Sequence, residues 1–311
     1  MKLECVAEAL GGELVGSREV SGLANLGYRL DVKVGSDVKR FAVKVYCGRR
    51  ARVKAEKELK LYRLMPQYGL KAPTVVLVDL EGELVGRPLL AWEWIRGVPA
   101  DRVLERRSSM IAAARVLGAA LAKLHSIPLG ELDPGLFKYG ESFWREEAST
   151  IRMLARLAGV PIAPLVRRVE ELECEQYALI HGDYSPGNVL MSGEGPYIID
   201  LEDARVGDPL YDVAYAYVFM SAGGRWELAK AFALEYFRIS GISVGCLASR
   251  LVAAALKLYL LLGLRQFVSV FKRKVGLFFY PLFELLFLKP FKRHLRSMVM
   301  GGFMSLECWP E

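Results

Sequence analysis

His181-Gly182-Asp183-Tyr184-Ser185-Pro186-Gly187-Asn188 sets an aspartate and an asparagine in one turn-rich loop, and the apolar run Tyr197-Ile198-Ile199 ends in a second aspartate, Asp200. The loop returns the chain so that Asp183, Asn188 and Asp200 point into one space. A carboxylate and an amide carbonyl are hard oxygen ligands suited to magnesium, whereas a second carboxylate left off the metal can accept a proton from an incoming hydroxyl. Those are the parts that phosphoryl transfer requires. With three histidines and two asparagines in 311 residues, a His followed seven positions later by an Asn is expected about 0.02 times by chance, so the spacing is specific. A buried Asp-Asn turn without chemistry is the alternative reading of the same residues.

A further charged group stands out in Arg40-Phe41-Ala42-Val43-Lys44-Val45-Tyr46. Strand alternation puts Val43 and Val45 on one face and Ala42, Lys44 and Tyr46 on the other, so an amine emerges midway along an apolar strand. It needs an anionic partner; a solvated edge lysine is the plainer alternative.

The elements that must position these groups are legible in outline. Glu13 to Val20, Gly27 to Val34 and Val38 to Tyr46 read as strands, the last two joined by the turn Gly35-Ser36-Asp37. Arg50 to Met65 changes to helical period, and two more strands follow, Thr74 to Leu80 and Leu84 to Trp94. Beyond Gly97-Val98-Pro99 the character is helical: Ser109 to His125, Phe143 to Leu157, Pro161 to Leu172, Pro209 to Met220, Trp226 to Ile239 and Val244 to Val270. The fold class expected is α+β and two-lobed, a small five-stranded antiparallel lobe with one helix over residues 1–95 and a larger, mainly helical lobe over 96–311.

Composition narrows the setting. A chain that is 53% hydrophobic and 25% charged is an ordinary globular protein and excludes disorder or a collagen-like repeat. Its five cysteines are dispersed without a C-x-x-C pair, and Met1-Lys2-Leu3-Glu4 does not read as a secretion signal, so a reducing cytoplasmic location is expected. Only two asparagines and three glutamines beside 42 Lys+Arg and 35 Asp+Glu suggest a thermophile avoiding labile amides. The net charge of +7 favours anionic partners, nucleotides among them, and nucleic acid is not the expected one.

H-G-D-x-x-x-x-N together with I-I-D resembles the catalytic and metal motifs of the aminoglycoside phosphotransferase and choline kinase family, within the protein-kinase-like fold. The resemblance runs from about Ser21 to Ala216. It implies that ATP and magnesium are the cofactors, that Asp183 is the catalytic base, and that Asn188 and Asp200 are the magnesium ligands. It makes Lys44 the lysine on the α and β phosphates and asks the following helix for a pairing carboxylate; Glu58 shares a face with Leu61 and Leu64, with Glu56 in reserve. Ser21, Gly22 and Asn25 fall where the family's phosphate-covering loop lies, although G-x-G-x-x-G is missing. Glu93 to Ile95 would hold adenine through main chain, with Trp92 and Trp94 as core rather than stacking platforms. Asp212 would hold the catalytic-loop backbone, and Asp208 followed by Pro209 would cap a helix.

The segment after Asp200 lacks Phe-Gly and A-P-E and reaches Asp208 quickly, leaving a peptide platform nowhere to form. The acceptor expected is therefore a hydroxyl of a small molecule: an amino alcohol, sugar, amino sugar or amino acid. Glu202 and Asp203, with Asp212 behind, suggest a cationic amine, unless Glu202 serves the metal or braces the loop. A compact atypical serine/threonine protein kinase and a catalytically silent kinase-like binding module are the alternatives. The apolar, cation-flanked segment 271–296 suggests peripheral membrane contact or, more simply, a helical hairpin packed on the large lobe with its basic face outward.

Overall fold

In the computed structural model the described residues are 3–20, 25–137, 140, 142–157, 162–173, 176–221, 225–244 and 247–272. Ser21, Gly22 and residues 273–296 lie outside them. The chain opens with α1 (Leu3–Ala9), then β1 (Glu13–Val20), β2 (Leu26–Val34), β3 (Asp37–Val45), α2 (Ala51–Leu64), β4 (Val75–Asp79) and β5 (Leu89–Glu93). The five strands form one antiparallel sheet in the order β1-β2-β3-β5-β4. Alternation sorts its two faces. Phe41, Val43 and Val45 join Val6 and Ala7 of α1 on one side, while Tyr46 and Leu90 pack on Ala55 and Leu59 of α2 on the other.

Two expectations need correction here. The strand expected from Leu84 begins only at Leu89, because the Asp79 carboxylate accepts the N–H groups of Gly82, Glu83 and Leu84 at 2.7, 3.0 and 2.8 Å and folds the intervening segment into a loop. And α1 is additional to the expected elements: it has seven residues and buries only Val6 and Ala7, too little for a helical period to show.

The large lobe follows with β6 (Gly97–Pro99), α3 (Ala100–Val103), α4 (Met110–His125), α5 (Phe143–Leu157), α6 (Ala163–Glu170), β7 (Ala178–Ile180), β8 (Val189–Ser192), β9 (Gly195–Ile198), β10 (Arg205–Gly207), α7 (Pro209–Ser221), α8 (Trp226–Ser240) and α9 (Leu247–Lys272). Its core gathers α4, α7 and α8 around Leu117, Leu121, Leu124, Val213, Phe232 and Tyr236, each fully buried leucine contributing roughly 1.5–3 kcal/mol. Gly118 lets α4 and α8 meet backbone to backbone, since a Cβ there would overlap the Phe232 carbonyl. Two minor sheets, β6-β8-β9 and β10-β7, carry the loops of the site and are too short to read from sequence. Among the described residues no helix is long and apolar enough to cross a membrane.

Candidate active site

Lys44 sits opposite Leu90 in the β3–β5 ladder, on the face turned to α2. Its ammonium lies 2.7 Å from Glu58, 2.5 Å from Asp200 and 3.2 Å from Glu202. The wholly buried Glu58 accepts the hydroxyls of Tyr46, at 2.6 Å, and of Tyr62. Tyr62 in turn accepts the Asp200 N–H at 3.2 Å, so one helix fixes both the carboxylate and the backbone of its distant partner. Burial alone would depress the Lys44 ammonium; Glu58, Asp200 and Glu202 outweigh it and hold the group well above the ordinary lysine value. Burial pushes the Asp200 carboxyl up against the pull of Lys44, with Glu58 and Glu202 adding to the push. Glu202 would also rise on burial, but Lys44 and Lys54 keep it below the usual carboxylate range.

The loop between β7 and β8 is built around a buried carboxylate. Asp212, in the first turn of α7, accepts the N–H groups of His181 and Gly182 at 2.6 and 3.0 Å. His125, at the end of α4, approaches the same carboxylate at 3.2 Å and the Tyr236 hydroxyl at 2.8 Å, a structural role as its helix-end position implies. His181 donates from Nε2 to the Ile199 carbonyl and accepts the Asp183 N–H at Nδ1, a pairing that specifies its tautomer. Gly182 has φ 84°, and a Cβ there would stand 2.7 Å from the Asp203 carbonyl oxygen, so only glycine passes this point.

From there the chain turns through Pro186–Asn188 into the β8–β9 hairpin. Asn188 donates its side-chain amide to the Asp183 carbonyl at 2.8 Å and to Asp183 Oδ2 at 3.2 Å. Its own backbone carbonyl accepts the Ile199 N–H at 3.0 Å, which brings it alongside the residue before Asp200. Asp200 has φ 65°, the one positive value outside glycine among the described residues. Such backbone strain persists where surroundings over-determine it, and here Tyr62 and Lys44 do so. The site therefore unites a cation suited to phosphate, a loop carboxylate and two oxygen donors on adjacent hairpin ends.

The sequence profile of the phosphotransferase enzyme family (APH) matches residues 19–243. The chain belongs to that family. Among curated relatives of this chain, mouse acyl-CoA dehydrogenase family member 10 is 22% identical over 217 residues, covering 61% of this chain and 20% of that protein. The homoserine kinase of Beijerinckia indica is 31% identical over 140 residues, covering 43% of this chain and 42% of that protein. The chain thus spans less than half the length of either relative. A solved Ralstonia eutropha structure, provisionally described as an aminoglycoside phosphotransferase, shares the fold with TM-score 0.70 at 12% identity, covering 98% of each chain.

Asn25 donates to Glu202 and accepts the Cys47 N–H at 3.0 Å, tying the start of β2 to the segment after Asp200. Glu93 closes β5, where its N–H reaches the Thr74 carbonyl at 3.4 Å, and the Ile95 carbonyl accepts the Gly97 N–H at 2.9 Å in the crossing to β6. Trp92 meets Tyr62 edge-on and Arg29 lies over Trp94, so both rings are engaged in packing. Glu56 stands 3.9 Å from Lys60, away from Lys44.

Asp208 caps α7 through the Leu210 N–H at 2.9 Å and also pairs with buried Arg250 at 3.0 Å. Two of the acids that suggested a cationic acceptor, Glu202 and Asp212, have partners within the fold. Glu202 serves Lys44, Lys54 and Asn25, and Asp212 serves the loop amides, while the more exposed Asp203 stands 3.5 Å from Lys54. Tyr62 and Lys54 escape sequence reasoning although each sits four residues from Glu58, where a helix places neighbours on one face.

Proposed function

We propose that this chain transfers the γ-phosphoryl group of ATP to a hydroxyl of a small molecule. One observation carries the reading: the Lys44 ammonium, already paired with Glu58 of α2, reaches Asp200 at 2.5 Å, beside the hairpin end whose Asn188 holds Asp183. In this account residues 1–95 form the nucleotide-binding lobe and 96–311 the catalytic and acceptor lobe. Lys44 binds the α and β phosphates, the stretch containing Ser21, Gly22 and Asn25 is assigned to those phosphates by its position in the sequence, and the main chain at Glu93 and Ile95 holds adenine.

The donor set suits magnesium. The Asn188 amide nitrogen is directed at Asp183, which leaves its side-chain carbonyl oxygen as a hard ligand to join the Asp200 carboxylate. Bound there, magnesium would neutralise charge on the phosphates. Asp183, with Oδ2 held by Asn188, accepts the proton of the incoming hydroxyl and orients its oxygen for attack. Arg205 and Pro209 already begin β10 and α7, which supports a small acceptor over a peptide. Amino alcohols, sugars, amino sugars and amino acids are the candidates, and the partial likeness to a homoserine kinase supports including amino acids. A cytoplasmic setting, where ATP and such metabolites meet, accords with the reading.

The test is ATP consumption by the full chain with magnesium and pooled alcohols, amines, sugars and amino acids, each compared with a no-acceptor control. At least one pool should raise ATP turnover and yield a phosphorylated small molecule. Silence in every pool, with label passing to a protein acceptor instead, would move the activity to protein phosphorylation.

A further inference from the structure

Beside the proposed catalytic loop, with Gly182 in its wall, lies a cavity of about 270 Å³ bounded by α2, α5, β10 and α9. Its charges do not balance. Arg50, Lys54, Lys57, Arg205 and Lys257 face three carboxylates. Glu147 pairs with both Arg205 and Lys257, while Glu202 serves Lys54 and Lys44, and Asp203 stands 3.5 Å from Lys54. Two cations remain, Arg50 and Lys57, which form no ion pair with another described residue. Arg50 is exposed at the mouth of α2, but Lys57 is 8% exposed and has a single hydrogen bond, to the Ala204 carbonyl at 2.8 Å, with the Phe137 ring 5.7 Å away.

A buried ammonium with one neutral acceptor and no carboxylate in contact is costly, and an anion in the cavity relieves it. The electrostatics agree with this geometry. Burial, together with the neighbouring Arg50, Arg205 and Lys54, brings Lys57 down to about 8 despite the opposing pull of Asp203.

We propose that this cavity binds an oxyanion, a phosphate or carboxylate group, with Lys57 and Arg50 as its principal donors. Such an anion sits between the small-lobe helix and β10 of the large lobe, so it links the two. Two sources share this chemistry: an acidic group on the acceptor itself, or a separate effector. The first is close at hand, because Gly182 immediately precedes Asp183; the second has the same access to the loop.

The direct test is isothermal titration of inorganic phosphate into the full chain kept saturated with magnesium and a non-hydrolysable ATP analogue, so that the nucleotide cleft is filled. Wild type should show saturable, single-site binding, about tenfold or more weaker in Lys57→Met and in Arg50→Ala, as loss of a charged hydrogen-bond donor implies. Lys57→Met is compatible with folding, since it replaces an unpaired buried cation by an apolar chain of similar length, and Arg50→Ala alters an exposed side chain. Absence of saturable binding, or binding in either variant as tight as in wild type, would overturn the site and leave an adventitious ion only. The measurement needs no turnover and so is independent of the proposed activity. With an acceptor in hand, phosphate competing against it assigns the anion to the acceptor, and a change in kcat at constant acceptor KM assigns it to an effector.

Discussion

Replacing Asp183 by asparagine is expected to lower phosphoryl transfer by about 10²–10⁴-fold, the usual contribution of a general base. The substitution keeps size and leaves the Asp183 carbonyl in place to accept the Asn188 amide at 2.8 Å, so the loop retains its main internal tie. What disappears is a carboxylate able to take the proton of the attacking hydroxyl. Nucleotide affinity should stay within a few-fold, because Lys44 and its three carboxylates lie on other elements. Steady-state kinetics with an acceptor found in the pooled screen, alongside nucleotide titration, separate the two effects. A variant keeping most of its turnover would remove Asp183 from the chemistry and leave the loop a structural turn.

Asp212→Ala should instead act on stability. The carboxylate is fully buried and accepts two backbone N–H groups, with His125 against it as a third neighbour, so truncation orphans donors that water cannot reach. A loss of about 3–5 kcal/mol is expected, on the order of 10 °C in Tm for a chain of this size. The same contacts carry a pH signature. Burial would raise the Asp212 carboxyl, but His125 and the loop hold it below the usual carboxylate range. A group with a depressed folded-state pKa stabilises above its unfolded value, and that stability is lost as pH falls through the folded one. Wild type should therefore lose Tm on acidification below about pH 4, and Asp212→Ala should lose less over that interval. Thermal unfolding across an acid pH series checks both statements, and an unchanged Tm at neutral pH would show that the loop holds itself.

The loop proposed as catalytic is legible from the residues alone because its parts are local: Asp183 and Asn188 share one turn, and Asp200 closes the strand that pairs back upon it. Lys44 is legible from strand alternation, and Glu58 from the helix face it shares with Leu61. The contacts that assemble these groups are not. Asn25 and Glu202 are 177 positions apart, and nothing in the residues near either one indicates the other. Tyr62 joins Glu58 to the backbone of Asp200 across the lobes, which only the packing of α2 reveals. The cationic cavity draws on α2, β10 and α9, so its excess charge exists only after folding, and the sequence points the other way, toward an amine held by acids. Short strands such as β7 and β10, three residues each, lie below the length at which a period of two can register.

The central claim is that Lys44, Asp183, Asn188 and Asp200 surround one magnesium nucleotide. Anomalous diffraction from crystals grown with manganese and a non-hydrolysable ATP analogue tests it most directly, since manganese takes the same oxygen ligands and can be located without ambiguity. The account predicts a metal peak within about 2–2.5 Å of the Asn188 side-chain carbonyl oxygen and an Asp200 carboxylate oxygen, with Lys44 on the phosphates and Asp183 beyond the γ-phosphate. A metal held instead by Glu58 and Glu202, which with Asp200 form the acidic cluster around Lys44, or a nucleotide bound away from Lys44, would contradict it.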